Sequence, residues 1–92
     1  MTLEHVPGRN AGKIIIYALS TCPWCHKAKQ LLRDLGVEYY FADVDQASET
    51  DKEAFLDTVR KWNPACSFPT LIIGDKCIIG FSEEDIREAL KQ

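Results

Sequence analysis

Apolar positions along the chain follow two different periods. Lys13-Ile-Ile-Ile-Tyr-Ala18 is a short, almost continuously apolar and β-branched run, the pattern of a strand buried on both faces. Beyond Leu19-Ser-Thr-Cys-Pro-Trp-Cys25 the spacing changes: Ala28, Leu31, Leu32 and Leu35 recur as on a helix, with Gly36 where a C-cap belongs. Pro23 suits the first helical turn, where no amide hydrogen is needed, so Cys22 is expected at a helix N-terminus. Val37 to Val44 is aromatic and β-branched enough for a second strand, completing a β-α-β unit. Phe55, Val59 and Trp62 share one face of a helix expected over about 48–62, which Asn63-Pro64 ends. Pro69 to Ile73 and Cys77 to Ile79, joined by Gly74-Asp-Lys76, read as an antiparallel hairpin. Ser82, with Asp85 three residues on, predicts an N-cap before Ile86, Ala89 and Leu90.

The expected order is β-α-β-α-β-β-α: an α/β domain over 13–92 with a mixed four-stranded sheet flanked by helices, and residues 1–12 left as a flexible arm. That is the arrangement of the thioredoxin fold. At 92 residues and 46% hydrophobic the chain suits one globular domain. A net charge of -3 lacks the basic excess that nucleic acid or an anionic membrane surface demands. No long apolar run or leader-like start is present, so a cytoplasmic monomer without membrane contact is expected.

The cysteines carry the candidate chemistry. Cys22 and Cys25 form C-P-W-C, while Cys66 and Cys77 are eleven positions apart. A zinc ribbon wants a second C-x-x-C, so no metal site is expected, and a C-x-x-C beside a β-α-β pattern reads as a redox motif. A thiolate is the attacking species in disulfide exchange, and a helix N-terminus favours a sulfur anion. Cys22 is the candidate nucleophile. Cys25, one turn deeper, is the candidate resolving thiol that attacks the mixed disulfide on Cys22. Trp24 is read as an exposed apolar platform. Lys27, Lys29 and His26 are read as surface helix residues, Cys77 as a core residue, and Cys66 as either packed or reactive.

These motifs resemble the glutaredoxin family from Lys13 to Leu90. Cys22-Pro-Trp-Cys-His-Lys-Ala-Lys29 is similar to the C-P-Y-C-H-x-A-K stretch of dithiol glutaredoxins, and Ser67-Phe-Pro-Thr70 to their T-V-P segment. The resemblance implies a cis Pro69 that sets Phe68 beside Cys22. It further implies a substrate groove made by Trp24, Phe68, Pro69, Gly80, Phe81 and Ser82, the last three matching the family's ligand-binding helix start. The expected activity is reduction of protein or glutathione mixed disulfides, with glutathione as a co-substrate and no tightly bound cofactor. Two departures stand against tight glutathione binding. Ile79 replaces the first glycine of a Gly-Gly pair, and Leu19 occupies the place of a lysine three residues before the nucleophile. Gly80-Phe81 instead resembles the glutaredoxin-like hydrogen donors of ribonucleotide reductase. The alternative is therefore a carrier reduced by thioredoxin reductase or a ferredoxin-linked disulfide reductase. A bridging iron–sulfur cluster is disfavoured by Pro23. A non-catalytic metal-binding module is the reading from a different class.

Overall fold

In the computed structural model, which describes residues 3–91, the elements follow as β1 (Glu4–Val6), β2 (Ile14–Ala18), α1 (Pro23–Asp34), β3 (Tyr39–Asp43), a 3-10 turn (Val44–Gln46), α2 (Glu49–Trp62), β4 (Thr70–Ile73), β5 (Lys76–Ile79) and α3 (Glu83–Leu90). One mixed sheet has the order β1-β3-β2-β4-β5. β2 runs parallel to β3 and antiparallel to β4, and β4 pairs antiparallel with β5. The architecture is that of the thioredoxin fold.

The continuous apolar run of β2 is explained by its central place. Ile14, Ile16 and Ala18 pack into a core with residues of α1 and α3, including Leu32 and Ile86. Ile15 and Tyr17 face the opposite side and pack with Phe55 and Val59 of α2. Alternate side chains of a strand point to opposite faces, so helices on both faces demand apolar residues at every position. Each fully buried aliphatic side chain contributes about 1.5–3 kcal/mol relative to exposure. Trp62, expected on the buried face of α2, stays 38% exposed at the helix end.

The expected four strands become five. Glu4, His5 and Val6 pair antiparallel with Phe41, Tyr40 and Tyr39, so the described part of the segment read as a free arm is laid on the sheet; Met1 and Thr2 lie outside the described residues. Without β1 the outer edge of β3 would leave its backbone donors and acceptors unpaired. His5 Nε2 lies 2.7 Å from Glu38 Oε2, and its ring stacks on Tyr40. The Arg9 N–H donates to the Gly36 carbonyl, and the Glu38 N–H donates to the Arg9 carbonyl, each at 2.8 Å. A three-residue strand is too short for a period to show in sequence.

Gly8 makes this docking sterically possible. A methyl group there would lie 2.5 Å from the Val37 carbonyl carbon, and rigid backbone cannot yield as a side chain can. Gly8→Ala is therefore expected to lift the N-terminal segment, to cost about 1–3 kcal/mol of stability in urea unfolding, and to accelerate hydrogen exchange at Glu38. Unchanged exchange at Glu38 would show that the segment does not depend on this close approach.

Candidate active site

α1 begins at the site. Pro23 occupies the first helical position, and Cys22 is the N-cap, with extended backbone and its Sγ accepting the Cys25 N–H at 3.2 Å. Asp, Asn, Ser or Thr oxygen usually fills this place; here sulfur does. Cys22 is half-buried. Cys25, on the inward face of the first turn, is fully buried within the core that includes Ala18 and Leu71. Burial first, then the neighbouring Cys22, pushes the Cys25 thiol up to about 12, against the opposing pull of a Leu19 backbone hydrogen bond and the Lys29 ammonium. The two sulfurs thus stand in unlike surroundings three residues apart.

The turn entering α1 is fixed from elsewhere in the chain. The Cys22 N–H donates to the Leu19 carbonyl at 3.1 Å. Asp45, in the 3-10 turn after β3, accepts from the Ser20 N–H at 2.8 Å and from the Ser20 hydroxyl at 2.5 Å. Those hydrogen bonds hold its carboxyl below the usual carboxylate range. His26 Nε2 lies 2.7 Å from the Ser20 carbonyl oxygen, so His26 braces this turn and is more than a surface residue. Asp45 was not legible as a site residue, because only the return of β3 beside β2 brings it to Ser20.

The Phe68-Pro69 peptide bond is cis, as the resemblance implied. Buried Asn63 holds the segment before it: Nδ2 donates to the Ser67 carbonyl, the Ser67 hydroxyl and Thr70 Oγ1 at 3.0–3.2 Å. The Gly80 N–H donates to the Pro69 carbonyl at 2.8 Å, tying the end of β5 to the start of β4. Trp24, Phe68, Pro69, Gly80 and Phe81 consequently line one cavity of about 270 Å³. Trp24 is 55% exposed, as expected of a platform. It stacks on Phe81 with ring centroids 6.0 Å apart and planes inclined by 22°, and Lys27 Nζ lies 4.7 Å from its ring centroid. Ser82 does not line the cavity. It caps α3, its hydroxyl accepting the Asp85 N–H at 3.3 Å.

Other expectations are revised. Lys29 is not a solvating lysine: its Nζ lies 2.7 Å from Asp43 Oδ1, with its side chain 14% exposed, and 4.1 Å from the Phe41 ring centroid. Cys77, expected in the core, is only partly buried on the edge strand β5, although that burial raises its thiol pKa. Cys66 is half-buried with φ 53° and packs against the α2-side core. All four cysteines are free thiols. Among the described residues no three His, Cys, Asp or Glu side chains gather as a metal site, and no helix is long and apolar enough to cross a membrane.

A C-x-x-C pair at the first turn of this helix, on this sheet, defines the class of thioredoxin-fold thiol–disulfide oxidoreductases. The family model for glutaredoxin matches residues 14–78, and the chain belongs to the glutaredoxin family. Among solved structures it is similar to a glutaredoxin of Methanosarcina mazei Go1, with 47% identity, TM-score 0.90, and 100% of this chain and 90% of that one covered. It is also similar to the methanoredoxin of Methanosarcina acetivorans, with 49% identity, TM-score 0.89, and coverage of 92% and 90%. A curated relative, glutaredoxin of Vernicia fordii, is 28% identical over 77% of this chain, which spans 66% of that protein's length.

The Asp45 clamp has a pH signature. A carboxylate whose pKa is depressed by folding contributes stability above its unfolded value and loses it as pH falls through the lower, folded one. The Ser20 amide is therefore expected to keep its exchange protection until pH drops below the usual carboxylate range, and Asp45→Ala to remove that protection at every pH. Protection that persists in Asp45→Ala would remove Asp45 as the anchor.

Proposed function

We propose that this chain reduces protein disulfides, or mixed disulfides with glutathione, by a dithiol mechanism in which Cys22 is the nucleophile and Cys25 the resolving thiol. The observation that carries the reading is the Cys22 sulfur acting as acceptor for a helix N-terminal amide while remaining partly open, with Cys25 buried directly behind it. An anionic sulfur is a better acceptor for that N–H than a neutral thiol, so the hydrogen bond strengthens in the reactive form. Cys22 attacks a substrate sulfur, and the first substrate thiolate leaves. Cys25 then attacks Cys22 Sγ of the mixed disulfide, the second substrate thiol leaves, and Cys22 and Cys25 remain joined. Phe68, Pro69, Gly80 and Phe81 with Trp24 would hold the chain that carries the substrate sulfur, and Ser82 would shape the end of that groove. No tightly bound cofactor is needed. A reducing compartment such as the cytoplasm suits four unpaired thiols.

The electron source has two readings. Glutathione is supported by family membership. A flavin- or ferredoxin-linked disulfide reductase is favoured by Leu19 and by Ile79, which is 54% exposed where the family has glycine. Reducing the oxidised protein with glutathione and, separately, with thioredoxin reductase and its nicotinamide donor discriminates between them: fast reversible reduction by glutathione at cytosolic potential would rule out the second.

The mechanism predicts unequal effects of removing either sulfur. Cys22→Ser is expected to lower disulfide reduction to background. Cys25→Ser is expected to keep the first attack and to accumulate mixed disulfides detectable by mass spectrometry. Full dithiol turnover in Cys22→Ser would sink the proposal.

A further inference from the structure

The Lys29–Asp43 ion pair lines no part of the groove. Lys29 follows Cys25 by four residues on α1, a spacing that puts both side chains on one helix face with Cβ atoms about 5–6 Å apart. Its ammonium cannot drift into solvent as an exposed lysine does. Asp43 at the end of β3 holds it at 2.7 Å, the Phe41 ring lies beneath it at 4.1 Å, and the pair's side chains are 14% and 24% exposed. Among the described residues no other cation acts on the Cys25 thiol. Lys27 lies over Trp24, and His26 is turned to the Ser20 carbonyl. The remaining elements around Cys25 present apolar side chains, including Ile16 and Ala18 of β2 and Leu71 of β4. Titratable groups facing this corner are thus Cys22 from the cap, Lys29 from α1 and Asp43 from β3, with the buried Tyr39 of β3 beside Asp43 and Arg33 of α1 beside Tyr39.

We infer that Lys29 is a positioning residue for the resolving step: its captive ammonium stabilises the negative charge that Cys25 must carry to attack the mixed disulfide, and Asp43 sets how much of that field Cys25 feels. This rests on Cys22 as nucleophile and Cys25 as resolving thiol. In the step concerned, Cys25 gives up its proton and its Sγ forms a bond to Cys22 Sγ. The bond from Cys22 to the substrate sulfur breaks, and the departing thiolate takes up a proton. The cysteine pair is oxidised by two electrons and the substrate disulfide reduced by two. With burial holding the Cys25 thiol at about 12, and Lys29 acting against that rise, the thiolate is scarce at neutral pH and a nearby charge changes its supply directly.

Neutralising Lys29 and neutralising Asp43 must then act in opposite directions. A one-unit change in the Cys25 pKa alters the thiolate fraction about tenfold. A more basic thiolate is a better nucleophile and recovers about half of that on a logarithmic scale, so the rate changes about threefold.

The test uses the full-length reduced protein carrying Cys66→Ser and Cys77→Ser, so that the two other free thiols release no chromophore, and dithiodipyridine, an uncharged aromatic disulfide whose two chromogenic thiols are released in turn by Cys22 and by Cys25. In stopped-flow at neutral pH, Lys29→Met is expected to slow the second release about threefold and to shift its pH profile to more alkaline values. Asp43→Asn is expected to speed it by a similar factor and to shift the profile toward acid. Lys29→Arg should stay near wild type, and the first release should change less than the second in every variant. If Lys29→Met and Asp43→Asn both slow the second release, or neither moves its pH profile, the inference is overturned and the pair serves packing alone. Should Lys29→Met fail to fold by circular dichroism, the direction of the Asp43→Asn shift decides. Failure of the underlying mechanism looks different: a Cys22→Ser protein would still release the first thiol.

Discussion

An α-helix leaves its first amide hydrogens without partners, and at α1 one of them is satisfied by sulfur. The Cys25 N–H reaching Cys22 Sγ joins the two cysteines before any redox chemistry takes place. One residue is outside the helix and partly open; the other is in the first turn with its side chain in the core. The contrast between them follows from helix geometry once Pro23 has set where the helix begins. A strand buried on both faces delivers the chain to this point, and its rigidity keeps the cap from wandering. Ser20, Asp45 and His26 complete the restraint on the approach to Cys22.

The cavity lined by Trp24, Phe68, Pro69, Gly80 and Phe81 is assembled from segments that the sheet brings together. Asn63 spends its side-chain donors on Ser67 and Thr70 and so fixes the chain entering Pro69. Gly80 tethers the end of β5 to Pro69, and Ser82 starts α3 one residue beyond Phe81. Trp24 and Phe81 cross from α1 to this segment as a stacked pair. The resulting cavity is apolar where it is lined, with Lys27 held at its margin by Trp24. An apolar lining of this kind favours apolar side chains over charged groups.

The ion pair beneath α1 places an ammonium near Cys25, which is otherwise packed among apolar core residues. Burial suppresses the charged form of a thiol and a cation restores some of it. Both influences act on the same sulfur: burial raises the Cys25 thiol and Lys29 works against that rise. Cys66 and Cys77 have no comparable arrangement: one packs beside the α2-side core and the other lies partly covered on an edge strand.

The order of the elements after β1, the start of α1 at Pro23, the cap at Ser82 and the C-x-x-C spacing of Cys22 and Cys25 were legible in the amino-acid order, because each depends on residues within one or two turns of each other. The resemblance to a family added the cis Pro69. Beyond local reach the chain was silent or misleading. β1 was hidden because three residues carry no measurable period, and only the open edge of β3 gives them a reason to be a strand. Lys29 read as a solvated surface lysine because its partner lies fourteen residues away on a strand that α1 covers. Asp45 had no visible link to Ser20, and Ser82 stood beside the groove while using its hydroxyl for the helix. Local steric and hydrogen-bonding preferences determine where elements begin; which distant charges and donors meet is decided only when the sheet closes and the helices dock on it.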